Sequence, residues 1–224
     1  ERMSWASEGN TVDVGNLTST RRDGSSCSSE THCYWIGGSQ VNIIERSADA
    51  SSANAVDVGD LTQGYGHPGG SSDINASYGY AHGGYVSSSK SNYIDRFQMA
   101  ASANGTDIGD LFAVAGQTGG SSSLTHGYNF GSGSSAPRTD VIQKFAFGSS
   151  TTGTDVGDLS GDRWSSTGVS SSTHTYSAGG DNAGGGGSPV NIIEKWPHAS
   201  DTNATDVGDL TTVKNMFGPC GNQY

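Results

Sequence analysis

No stretch of this chain approaches the roughly 20 consecutive apolar residues that a membrane-spanning helix needs. Positive charge is scarce as well: 11 Lys and Arg stand against 22 Asp and Glu, a net charge of −11. Nucleic acids and anionic membrane surfaces are held by clustered cations, so neither is an expected partner. Aromatics make up 8% and apolar residues 32%, which is lean for 224 residues. Three cysteines, Cys27, Cys33 and Cys220, are an odd number. A disulfide among them would suit an oxidising, extracellular setting, and free buried thiols are the alternative. No G-x-S-x-G, H-E-x-x-H, C-x-x-C or phosphate-loop motif occurs. No signal peptide is visible and the first residue is Glu1, which reads as a processed chain or an excerpt.

What the chain has in quantity is glycine, 35 residues, and one recurring phrase. It reads DVGNL at 13–17, DVGDL at 57–61, DIGDL at 107–111, DVGDL at 155–159 and DVGDL at 206–210. Successive copies thus return at a nearly constant period, slightly under one quarter of the chain. A period of that size marks a solenoid, propeller or array built by copying one supersecondary unit. The approximate units are 1–44, 45–94, 95–142, 143–193 and an incomplete 194–224, within one repeat domain spanning 1–224. Disordered Gly-rich chains lack phased apolar residues, and here the apolar residues keep phase.

Each unit carries two more blocks. One is an Ile-rich stretch such as Val190-Asn191-Ile192-Ile193-Glu194-Lys195-Trp196. The interval from this block to the next DVGDL aspartate never changes: Glu45 to Asp57, Asp95 to Asp107, Gln143 to Asp155 and Glu194 to Asp206. Glu1 precedes Asp13 by the same interval. The other block holds a tyrosine followed by glycines: Tyr34 with Gly37-Gly38, Tyr80 with Gly83-Gly84, Tyr128 with Gly131, and Tyr176 with Gly179-Gly180. The interval from tyrosine to the last Ile of the following block does change, being shortest from Tyr34 to Ile44 and longest from Tyr176 to Ile193. A fixed spacing implies strand register and an elastic one a surface loop.

The blocks read as β. In the Ile-rich block Val190, Ile192 and Trp196 share one face, while Asn191, Ile193 and Lys195 share the other. A strand apolar on both faces belongs in a sheet covered on both sides. In DVGDL, Val and Leu are three apart, so a bulge at the Gly is needed to turn both inward; a single helical turn is the competing reading.

The Tyr-x-x-Gly-Gly block followed by an Ile-x-(Arg/Lys)-aromatic strand resembles the kelch repeat of β-propellers. The fuller pattern, THGY, GG, NIIEKF and NATDVGDLT, resembles kelch-like repeats in structural proteins of aquatic bacteriophages, and it spans essentially the whole chain. The resemblance implies an all-β propeller of about five blades, or a segment of a longer array. It also implies a non-enzymatic virion role as a tail fibre, spike or capsid-decoration component, in assembly or host-surface attachment. The alternative is a secreted or cell-surface adhesin or filament subunit that binds carbohydrate or itself, and the weakest is a propeller enzyme. Three departures stand out: the second unit lacks the Thr-His pair, Ser132 replaces a glycine, and Ser47 stands where an aromatic is expected.

Residues that could carry chemistry have a structural alternative beside each. The aspartates three apart could contribute to a Ca²⁺ site, yet lack a dense alternating acidic loop and suit turn capping better. His32, His126 and His174 each follow their repeat's first Asp at one shared offset, so symmetry separates rather than clusters them. Acid–Arg neighbours in the Ile-rich block point to opposite strand faces and suit ion pairs between units. Cys33 beside Tyr34 resembles the Tyr–Cys site of kelch-propeller copper oxidases, but no converging His set accompanies it. No cofactor or metal is expected.

Binding, where present, belongs on the variable loops at 64–72, 86–91, 116–123, 131–139, 162–172 and 181–189. Trp164, Tyr65 and His67 are the ring-bearing candidates there for contact with a host-surface glycan. Asn16, Asn75, Asn104 and Asn203 head N-x-Ser/Thr sequons, relevant only in a glycosylating host. The Leu17, Leu61, Leu111, Leu159, Leu210 and Ile44, Ile94, Ile142, Ile193 series are the expected core. Both ends carry incomplete units, which predicts an oligomeric assembly with other virion or filament subunits.

Overall fold

The computed structural model describes residues 1–2, 9–133, 139–148, 150–182 and 187–215. Every regular element among them is a β-strand, and the sheets form a β-propeller-like arrangement. Four antiparallel four-stranded sheets follow one another in sequence. The first comprises an inner strand Ser25–Ser28, a second His32–Ile36, a third Val41–Ala48 and an outer strand Val56–Gly66. The next is Gly69–Asp73, Tyr78–His82, Ser89–Gln98 and Thr106–Ala115. The third is Gly119–Ser122, His126–Ser132, Thr139–Ala146 and Thr154–Asp158. The fourth is Thr167–Ser170, His174–Ala178, Ser188–Pro197 and Thr205–Lys214.

The Ile-rich block is thus the third strand and DVGDL the outer strand, paired antiparallel at fixed register. The constant interval between the two blocks is that hairpin. In the first sheet Ile44 faces Gly59 while Glu45 faces Asp57, which leaves Val58 as the bulged residue. The bulge turns Val58 and Leu61 to the same buried side, so the strand reading holds and the helical turn does not. Gly59 sits at φ 151°, beside the carbonyl of Ala103 in the next sheet. A Cβ there would overlap that carbonyl, so only glycine serves.

Three apolar cores lie between adjacent sheets. The first mixes Tyr34, Ile44, Val58 and Leu61 with Phe97 and Met99 of the second sheet. The second joins Tyr80, Ile94 and Leu111 to Phe145, and the third joins Tyr128, Ile142 and Leu159 to Trp196. The aromatic that ends each third strand therefore fills the core of the sheet before it. Ser47 departs from this pattern in the first sheet, which is preceded among the described residues only by a lead segment at 9–20 and not by a full sheet.

The leucine and isoleucine series divide accordingly. Ile44, Ile94 and Ile142 are 0% exposed, and Leu61, Leu111 and Leu159 are buried with them. Leu17, Leu210 and Ile193 are only half-buried, contrary to the sequence expectation. Burial needs a sheet on both sides, and these residues flank the lead segment or the last sheet. Val169 and Val207 of the fourth sheet are exposed as well.

The inner strands explain the glycine and serine content. Gly70 lies against the Ser26 carbonyl, Gly120 against the backbone of Gly70, and Gly168 against the Gly120 carbonyl. Serine hydroxyls tie the same strands: Ser72, Ser122 and Ser170 Oγ accept from the amides of Ser28, Ser72 and Ser122 at 3.1, 2.8 and 3.2 Å. A Cβ at Gly70, Gly120 or Gly168 would overlap the neighbouring backbone. Gly120→Ala is expected to lower stability by about 1–3 kcal/mol through overpacking; a thermal midpoint equal to the wild type would refute the close backbone approach.

Candidate functional site

Polar side chains perform two separate tasks in this fold, and the first is holding sheets together. Each third strand buries an acid or amide against the DVGDL segment of the preceding unit: Glu45, Asp95, Gln143 and Glu194 are all buried. Each accepts from an amide just beyond the recurrent Leu. Thr18 N donates to Glu45 at 2.7 Å, Thr62 N to Asp95 at 2.7 Å, Ala113 N to Gln143 at 2.7 Å and Ser160 N to Glu194 at 2.8 Å.

The residue eight beyond each repeat's first aspartate matches the charge of this group. Arg21 pairs with Glu45, and Arg163 Nη1 lies 2.8 Å from Glu194 Oε1. Where that position is Tyr65 the acid is Asp95, and where it is Ala115 the group is the neutral Gln143. Burial raises the Asp95 pKa, and the Thr62 hydrogen bonds oppose the rise. The ion pairs between units expected of the Ile-rich block therefore form: Glu45 with Arg21, Glu194 with Arg163, and Lys144 with Asp201. Sequence reasoning missed the compensation because it compared neighbours within a unit; superposing the repeats at this offset reveals it.

The recurrent aspartates are turn acceptors. Asp13, Asp57, Asp107, Asp155 and Asp206 Oδ1 each accept from the amide two residues on, at 3.0–3.2 Å. No group of three or more potential metal ligands occurs among the described residues. Asn54, Asn104 and Asn203 Oδ1 take the amides of Asn16, Asp60 and Asp158 in the preceding unit. Two sequon asparagines, Asn104 and Asn203, thus hold sheets together through Oδ1, while exposed Asn75 donates to the Leu124 carbonyl at 3.3 Å. His32, His126 and His174 bond the hydroxyl of the preceding Thr through Nδ1 at 2.8–2.9 Å, not a partner across the sheet. Cys27 and Cys33 are free thiols. Burial pushes them up to about 12 and about 11, away from reactive thiolates. Cys220 lies outside the described residues.

The second task is performed at the mouth of the inner strands. Asp23, His67, Gln117 and Ser165 occupy one repeat position, just before each inner strand, and all four have φ between 52° and 63°. That left-handed conformation costs a side-chain-bearing residue about 1–2 kcal/mol and is tolerated where the structure dictates it. Four different polar residues hold it here, and all four line one depression. His67 N donates to the Asp23 carbonyl at 2.6 Å and Ser165 N to that of Gln117 at 2.8 Å.

Beside the depression opens a cleft of about 560 Å³ lined by Arg22, Asp23, Gln40, His67, Tyr85 and Gln117, among others. Gln40 and Tyr85 come from the elastic connections after the Gly-Gly pairs, so these connections and the inner-strand entries share one face. The Asp23 carboxylate lies 3.4 Å from Arg22 Nε and 3.4 Å from His67 Nε2. Burial disfavours the ring's cation and lowers the His67 pKa, with Asp23 opposing.

Of the three ring-bearing candidates, only His67 reaches this cleft. Tyr65 is 0% and Trp164 6% exposed; both are core residues, which corrects their reading as surface contacts. The segments in which they were placed are largely strand, since 64–66 ends an outer strand, 69–73 is an inner strand and 163–164 pairs with 181–182. Parts of two further candidate loops, 134–138 and 183–186, lie outside the described residues.

No protein-family model matches this chain, and no curated protein matches it. Among solved structures it is similar to that of YjhT, at a TM-score of 0.71 and 12% identity, over 89% of this chain and 73% of that one. At that identity the likeness concerns the fold alone.

Proposed function

We propose that this chain is a kelch-like propeller segment that acts without catalysis, as a virion structural component in assembly or host-surface attachment. The secreted or cell-surface adhesin is the neighbouring reading, since both rest on the same surfaces. The observation that carries the proposal is the face of the fourth sheet, which no described residue covers as the neighbouring sheets cover the others. Val169 and Val207 are 42% and 45% exposed there, whereas the corresponding Cys27 and Val58 in the first sheet are buried. A Cβ at Gly208 meets nothing within 4 Å, while those at Gly15, Gly59, Gly109 and Gly157 meet the following unit. An apolar sheet face of this kind favours association, as a multi-copy appendage requires.

The isolated chain is therefore expected to self-associate, and Val169→Lys with Val207→Lys is expected to shift it towards monomer without loss of fold. Sedimentation velocity measures both. A wild-type chain that stays monomeric at all concentrations would remove the assembly argument. Mass spectrometry of purified particles tests the virion assignment, and particles lacking this polypeptide would end it.

A further inference from the structure

We infer that the cleft at the inner-strand mouth binds an uncharged saccharide, with its ring beside His67, Gln117 and Tyr85 and one hydroxyl directed down to Ser165 and Ser166. This rests on the attachment reading above and gives that face a ligand class.

The first argument is unmet hydrogen bonding. Ser165 and Ser166 are 2% and 5% exposed, and their hydroxyls find no partner among the described residues; neither does Gln117 Oε1. All three residues line the depression that continues the cleft, and the depression narrows to about 30 Å³, space for one hydroxyl-sized group. Buried polar atoms are ordinarily satisfied, so this convergence calls for a group that both donates and accepts. A sugar hydroxyl does both.

The second argument is charge. Arg22 and Asp23 offset one another, and burial disfavours the His67 cation. The remaining lining is amide, hydroxyl and aromatic ring, with no surplus charge to select an ion. The cleft's roughly 560 Å³ suits a mono- or disaccharide. The third argument is strain: Gln117 keeps a left-handed backbone that glycine would adopt freely. A residue that weakens the fold and leaves its own Oε1 unbonded is explained by what that atom offers a ligand.

The test is a titration of the isotope-labelled chain, followed by amide NMR, with the methyl glycosides of glucose, galactose and mannose and with N-acetylglucosamine. Glucuronate and inorganic phosphate serve as charged comparators. At least one neutral sugar is expected to shift the His67, Gln117 and Ser166 amides saturably, with a Kd on the order of millimolar. Gln117→Gly is expected to raise that Kd about tenfold or more, a loss of one good hydrogen bond, while its melting temperature stays level or rises. A purely structural glutamine would instead lower the melting temperature and leave binding alone. Ser166→Ala, at an ordinary backbone position, should weaken binding in the same sense.

Absence of saturable shifts with every neutral sugar, tighter binding of the charged comparators, or an unchanged Kd in Gln117→Gly each overturns the inference. Attachment to host cells is scored in parallel. Attachment that persists in excess sugar and in Gln117→Gly removes the saccharide cleft and leaves the attachment role standing. Sugar binding without any cell attachment does the reverse.

Discussion

Arg163→Ala is expected to destabilise the chain by about 3–5 kcal/mol, because it leaves the Glu194 carboxylate buried without its cation. Arg163 and Glu194 side chains are 3% and 0% exposed, so water cannot replace the lost partner. Ser160 N would remain as an amide donor to Glu194, at 2.8 Å. The chain itself contains the remedy. Between the second and third sheets the same two positions are Ala115 and Gln143, and Gln143 takes the Ala113 amide at 2.7 Å with no charge present. Adding Glu194→Gln to Arg163→Ala should therefore recover most of the loss, short of a residual for the cavity of the missing arginine stem. Denaturant midpoints of the two single variants and the double variant measure this. Additive losses would mean that the two positions are uncoupled, against the structure.

The second large effect is on acid stability. His82 is fully buried, and burial lowers its pKa from 6.5 to about 3. Its neighbours fix one neutral tautomer: Asn129 Nδ2 donates to Nδ1 at 3.0 Å, and Nε2 donates to Ser71 Oγ at 2.8 Å. Ser71 then donates to the Ser121 carbonyl at 2.8 Å, so this network joins the second and third sheets. A base with a depressed folded pKa contributes stability that is complete above its unfolded pKa. As pH falls below 6.5 the unfolded chain takes the proton and the folded chain does not. Stability from this residue should fall progressively between pH 6.5 and about 3, by on the order of 5 kcal/mol in all.

Asp95 works in the opposite sense. Its raised folded pKa makes its contribution greatest at low pH and lost as pH rises through the carboxylate range. The two residues therefore push the acid response in opposite directions. His82→Gln should flatten the decline below pH 6.5 even if it costs stability at neutrality. An unchanged slope in that variant would show that other groups, such as the half-buried His67, His126 and His198, carry the acid response.

The sequence by itself determined what repetition and period encode. The DVGDL recurrence marked the repeat, and its constant distance from Glu45, Asp95, Gln143 and Glu194 marked the third-to-outer hairpin. The Val–Leu spacing of three, with glycine between, pointed to a bulge, with a helical turn as the competitor, and the strands contain that bulge at the Val before the glycine. These are local constraints, set by backbone geometry within one unit, and local constraints survive in a linear pattern.

Only the tertiary structure decided what depends on a neighbouring sheet. Leu61 and Leu210 occupy the same place in the same motif, yet one is buried and the other only half-buried, because burial belongs to the interface and not to the residue. Tyr65 and Trp164 lie in segments that read as exposed loops from the sequence but are strand and are covered by adjacent strands. Asp23, His67, Gln117 and Ser165 share no residue type and sit a full repeat apart. They meet because each precedes an inner strand, and those strands come together through glycine contacts between backbones. A pattern search follows shared residues, whereas this mouth is built from the position at which the repeats differ.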